Sequence, residues 1–164
     1  MSDEKRILVT LDGSKRSKRT IDYLCSFTPF KTRQVTLFNI TTPVPEAYYD
    51  LSQNSFGKIA VSQVKAWELG QKTIMTEFLK EARQKMITAG YVPANIEVKL
   101  SKQEKGVARG ILSEIGSNEY HTLVIRRRGN ANSIMGVTMG GVAAKLVEKA
   151  DKIPLIIAGT RQIQ

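Results

Sequence analysis

Cysteine and histidine are almost missing from this chain: its 164 residues include one of each, Cys25 and His121. A lone cysteine excludes an internal disulfide and any multi-cysteine metal site. A lone histidine leaves no second imidazole for a zinc site or a proton relay. Zinc enzymes and thiol oxidoreductases are set aside on that ground. Long hydrophobic runs are lacking too. Stretches such as Ile7-Leu8-Val9 and Leu155–Ala158 fall far short of the ~20 residues that cross a bilayer. The opening Met1-Ser2-Asp3-Glu4-Lys5-Arg6 is charged and has none of the apolar length of a secretory signal. These features predict a cytoplasmic protein with no membrane insertion.

Acidic residues are also in deficit. Fifteen Asp and Glu stand against 25 Lys and Arg, a net charge of +10. A field of that sign attracts polyanions. The basic residues are dispersed, however, in groups such as Lys15-Arg16, Lys18-Arg19 and Arg126-Arg127-Arg128, and no aromatic-interleaved basic stretch or nucleic-acid motif accompanies them. We therefore expect no specific nucleic-acid recognition. Any binding to duplex DNA is expected to collapse between low and physiological salt, as filter binding across a salt series would show.

Hydrophobic residues make up 41% of the chain, enough for one full core, and its length fits one domain over residues 1–164. Arg6-Ile7-Leu8-Val9-Thr10-Leu11 is short and apolar, as a strand covered on both faces should be. It ends at Asp12-Gly13-Ser14, where Asp12 or Ser14 can cap the helix that Ile21, Leu24 and Cys25 mark by their spacing. Gln34-Val35-Thr36-Leu37-Phe38-Asn39-Ile40 is a second strand. After an irregular stretch over 41–56, the pattern predicts a long helix over 57–89. Val64, Trp67, Ile74, Phe78, Ala82 and Met86 would form one buried stripe there, with Gly70 marking a bend. Strands are predicted at 96–100, 122–125 and 153–158, with one helix marked by Val107, Ile111, Leu112 and Ile115 and ended near Gly116, and another around 142–150. Strands that alternate with helices make a parallel sheet with helices on both faces. Ligands of such sheets bind beyond the carboxyl ends of the strands, where the strand order reverses. That places the candidate site at Asp12, at Ile40-Thr41 and in the loop that follows Ile125.

The loop 126–141 carries four glycines and opens onto a helix, a combination that suits an anion such as phosphate and is also found in ordinary loops. It has no Gly-Lys-Ser/Thr triplet and lacks the dinucleotide glycine spacing. Asp12 reads equally as a turn residue or as a ligand at the switch point. Cys25 and Ile40 read as core. His121 reads as a surface residue, and Lys15, Arg16, Lys18 and Arg19 as a solvated helix face.

Over nearly its whole length the chain resembles the universal stress protein family. Ile7-Leu8-Val9-Thr10-Leu11-Asp12-Gly13-Ser14 is similar to that family's first strand and turn, and Val35-Thr36-Leu37-Phe38-Asn39-Ile40 to its second strand. Residues 123–142, followed by Ile153-Pro154-Leu155-Ile156-Ile157, resemble its phosphate loop and closing strand. The resemblance implies a Rossmann-like, adenine nucleotide alpha hydrolase-like fold, with a five-stranded parallel sheet in the order 3-2-1-4-5. It also implies a homodimer through the last strand, and ATP with Mg as ligand. Nucleotide-binding members carry Gly, two residues, Gly, nine residues, then Gly with Ser or Thr. Here Gly129 and Gly140 match the second and third glycines. Arg126 replaces the first, ten residues stand in place of nine, and Gly141 replaces the hydroxyl residue.

The resemblance thus implies that Asp12 and Ile40 hold adenosine, and that Gly129, Gly140, Gly141 and Val142 meet phosphates, while Arg126 either fills the space of the missing glycine or binds phosphate through its own donors. It suggests a stress-response regulator with weak or conditional nucleotide binding. The alternative is a dimeric module of the same fold that binds a protein partner and no nucleotide. No Ser-His-Asp set or paired carboxylates occur near the loop, so no catalytic residue is assigned and an enzyme is not expected, beyond slow incidental ATP hydrolysis.

Overall fold

The computed structural model describes residues 5–41, 55–102, 105–126 and 141–158. Strands and helices alternate along these: β1 (Ile7–Thr10), α1 (Lys15–Ser26), β2 (Val35–Thr41), α2 (Ser55–Thr88), β3 (Ile96–Lys102), α3 (Val107–Ser117), β4 (Thr122–Arg126), α4 (Gly141–Lys149) and β5 (Leu155–Ala158). The strands pair in parallel in the order β3-β2-β1-β4-β5, as the resemblance implies. The chain moves outward from β1 to β3, returns to the centre, and moves outward again through β4 to β5. The order therefore reverses between β1 and β4.

Alternation along the central strands splits the core into two layers. Ile7, Val9 and Leu11 of the β1 segment pack with Leu37 of β2, Val124 of β4, Ile21 and Leu24 of α1, and Leu79 and Met86 of α2. Leu8, Phe38, Leu123 and Ile125 face the other way, onto Ile111 of α3 and Ala143 and Leu146 of α4. A strand buried on both faces has to be apolar at nearly every position, which is why these segments read as continuous runs. The phenol of Tyr91 donates to the Leu24 carbonyl at 2.7 Å and ties the end of α2 to α1.

The long helix corrects one expectation. Phe78, Ala82 and Met86 are buried, but Trp67 is 57% and Ile74 64% exposed, and Val64 is only half-buried, so the stripe is covered over its second half alone. The cause is length. Thirty-four residues extend about 51 Å, whereas the seven residues of β3 span about 23 Å. Glu68 already lies level with the end of β3, where Lys102 pairs with it at 3.7 Å. The helix runs unbroken through Gly70, from Ser55 to Thr88.

The turn after β1 shows why its residues are as they are. Ser14 is the N-cap of α1, its hydroxyl accepting from the Ser17 amide at 3.2 Å. Gly13 sits at φ +75°, and a Cβ there would come 2.6 Å from the tip of Met75. Gly13→Ala is expected to cost about 1–2 kcal/mol from the left-handed backbone alone, read as a lowered denaturation midpoint. An unchanged midpoint would show that the turn relaxes freely.

Candidate functional site

At the reversal of strand order, the carboxyl ends of β1, β2 and β4 and the first turn of α4 enclose a cavity of ≈ 180 Å³. Its walls are largely apolar: Leu11, Phe38, Ile40, Ile125, Val142 and Leu146 all contribute. Its charged residues are Asp12 and Arg126. Apolar walls with a few convergent polar groups suit a small-molecule ligand, and a flat heteroaromatic base fits such walls.

Asp12 follows β1 directly, and the turn built by Gly13 and Ser14 holds its carboxylate. Oδ1 accepts from the Ser14 amide at 3.0 Å and from the Ser17 hydroxyl, while the Asp12 amide donates to Ser17 Oγ at 3.1 Å. Oδ2 receives Nη2 of Arg126, the last residue of β4, at 2.6 Å. Burial pushes the Asp12 carboxyl up, but the hydrogen bonds from Ser14 and Ser17 and the nearby Arg126 guanidinium outweigh it and hold the group at about 2. Its folded value lies below the ordinary 3.8. The carboxylate therefore stabilises the fold in full above the unfolded value, and that contribution is lost as pH falls through about 2. At neutral pH the Asp12 carboxyl is fully ionised.

Of the residues singled out in the sequence, Asp12, Ile40, Arg126 and Val142 come together on this cavity. Gly141 opens α4 beside it and is exposed. Gly129 and Gly140 lie outside the described residues. His121 is exposed, and Lys15, Arg16, Lys18 and Arg19 lie on the exposed side of α1, as expected. Cys25 is half-buried against the first core layer.

Sequence reasoning missed three contributors. Val107 and Ile111 of α3 close the far wall, and nothing in their helical spacing distinguishes them from core. Asn39 is the more informative omission. It is 4% exposed, and its Nδ2 donates to the Leu11 carbonyl at 2.7 Å. Among the described residues its Oδ1 has no partner. A polar residue inside an apolar strand run was the available signal. An unpaired buried acceptor costs about 1–3 kcal/mol, so a ligand donor that reached it would be rewarded.

Taken together, the strand order and the cavity define a doubly wound α/β protein with a largely apolar cavity at its switch point. The chain belongs to the universal stress protein family, whose sequence profile matches residues 4–158. Solved structures share its fold. The universal stress protein UspA from Lactobacillus plantarum is 14% identical with a TM-score of 0.66, over 98% of this chain and 100% of that one. A universal stress protein in complex with cAMP is 18% identical, with a TM-score of 0.62 over the same shares of the two chains. A family protein from Arabidopsis thaliana with AMP bound is 12% identical, with a TM-score of 0.58 over 96% and 93%. No curated protein sequence matches this chain.

Proposed function

We propose that this chain is a regulatory member of its family that binds an adenine nucleotide weakly or conditionally in the cavity between β1, β2 and β4. The observation that carries this reading is the convergence of Asp12, Ile40, Arg126 and Val142 on one largely apolar cavity at the switch point. Relatives of the same fold bind AMP and cAMP. The base would lie against the apolar wall. Asp12 and Arg126 would orient its sugar and phosphate, and the amides at the start of α4 would face negative charge. A divalent cation such as Mg would accompany a longer phosphate chain. We assign no catalytic step to the site: a carboxylate held at about 2 is a poor general base at neutral pH.

Mass spectrometry of small molecules released from the denatured, purified protein tests the reading. Retained adenine nucleotide, or calorimetric binding of added nucleotide, supports it. An empty protein that binds none supports the partner-binding alternative, in which the Asp12–Arg126 pair is purely structural.

We further propose a homodimer through β5. This strand lies at the sheet edge, and its Ile157 is 37% exposed. Unpaired edges invite pairing, and a second copy would cover this one. Sedimentation at micromolar protein is expected to show a dimer, and Ile157→Lys is expected to shift it to monomer. A native chain that sediments only as monomer would remove the proposal.

A further inference from the structure

Arg126 occupies the position where the nucleotide-binding pattern has its first glycine, so the pattern cannot say what its side chain does. The structure gives that side chain a definite place. It is 12% exposed, and its Nη2 reaches across the sheet end to Oδ2 of Asp12. Asp12 is itself held by Ser14 and Ser17 through its other oxygen. The ion pair therefore anchors the planar guanidinium at the end of β1, in the cavity that Leu11, Asn39 and Ile40 also line. Among the described residues, one of its five N–H donors meets Asp12, at 2.6 Å.

We infer that Arg126 sets the number of phosphates this site accepts, selecting a nucleoside monophosphate, open or cyclic, over a triphosphate. The inference rests on the adenine-nucleotide reading and deepens it. Position is the first reason. A guanidinium tied to Asp12 meets an anion lodged beside Asp12, one group removed from the sugar, and its planar fork matches two oxygens of a single phosphate. Charge is the second. Asp12 already balances the guanidinium, so the pair offers directed hydrogen bonds without an uncompensated positive charge. Each additional phosphate then meets a neutral pair and gains no net attraction from it. Occupied space is the third reason. A glycine at this position would let backbone approach a phosphate chain closely, and the arginine side chain fills that room.

Calorimetric titration with AMP, cyclic AMP, ATP and adenosine separates the possibilities, using the native chain, Arg126→Gly and Arg126→Lys. Thermal unfolding of each variant confirms that it is folded. The native chain is expected to bind AMP or cyclic AMP at least tenfold more tightly than ATP. Arg126→Gly is expected to lose that preference, with monophosphate binding weakened at least tenfold more than adenosine binding. Arg126→Lys, which keeps the charge and loses the fork, should fall between the two. Equal native affinity for AMP and ATP, or a preference that survives in Arg126→Gly, overturns the assignment and leaves the adenine reading standing. Failure of all four compounds to bind the native chain overturns both.

Discussion

ATP is expected to bind the native protein weakly, and Arg126→Gly combined with Gly141→Ser is expected to raise its affinity tenfold or more. Arg126 is nearly buried in the cavity and engages Asp12 at 2.6 Å. Its removal opens the space where backbone would otherwise approach phosphate, and it also releases Oδ2 of Asp12. Among the described residues a Cβ at Gly141 meets nothing within 4 Å, so a serine there displaces none of them. Its hydroxyl would add a donor at the start of α4, where the helix dipole already favours an anion. Each restored contact to a charged phosphate is worth about 1.5–3 kcal/mol, and about 1.4 kcal/mol is a factor of ten. Calorimetry on the native chain, both single variants and the double variant gives the answer. Tight native ATP binding that Arg126→Gly abolishes would show the arginine to be a triphosphate ligand instead.

The largest expected loss of stability lies away from the cavity, at Glu114. This carboxylate is 9% exposed on α3. Lys99 of β3 donates to both its oxygens at 2.8 Å, Tyr120 donates its phenol at 2.9 Å, and the Asn118 side-chain amide donates at 3.1 Å. Burial pushes the Tyr120 phenol up to about 12, and accepting its proton in a hydrogen bond to Glu114 acts in the same direction. The network fastens an edge strand to the helix that follows it. Glu114→Ala would strand a buried phenol and an ammonium together. Removing one partner of a buried pair costs about 3–5 kcal/mol. Because the Lys99 side chain is 39% exposed and so partly screened, the expectation is about 3 kcal/mol. In a chain of this size that lowers the melting temperature by roughly 6–12 °C. A loss below about 1 kcal/mol would reduce the network to the level of an ordinary surface pair.

How much of the fold could be read from the sequence follows from how each face is covered. Ile7-Leu8-Val9 and Leu123-Val124-Ile125 are apolar at every position because helices cover the sheet on both sides, so their strands stand out directly. Ile96-Glu97-Val98-Lys99-Leu100 alternates because its strand lies at an edge, and it does so in the structure. The long helix was legible as a helix but not in its burial. Periodicity reports which residues share a face, and Trp67 and Ile74 do continue the stripe of Phe78. Whether anything covers that face depends on where the sheet ends.

The site divides in the same way. The turn Asp12-Gly13-Ser14 and the glycine loop pointed to the carboxyl edge of the sheet. The strand order supplied by family resemblance then pointed to the gap between β1 and β4. Local chemistry and chain order determine those features, and both are written in the sequence. The partner of Arg126 is not. Asp12 and Arg126 are 114 residues apart and meet only because β1 and β4 are neighbours whose ends coincide. The unpaired acceptor of Asn39 has the same origin: it exists because the strand crossing buries that side chain and the Leu11 carbonyl takes only its amide donor. Sequence by itself determined the class of fold and the edge of the sheet where a ligand would sit. Tertiary structure alone decided which charges face each other there, because pairing across a parallel sheet depends on strand register and distance in space.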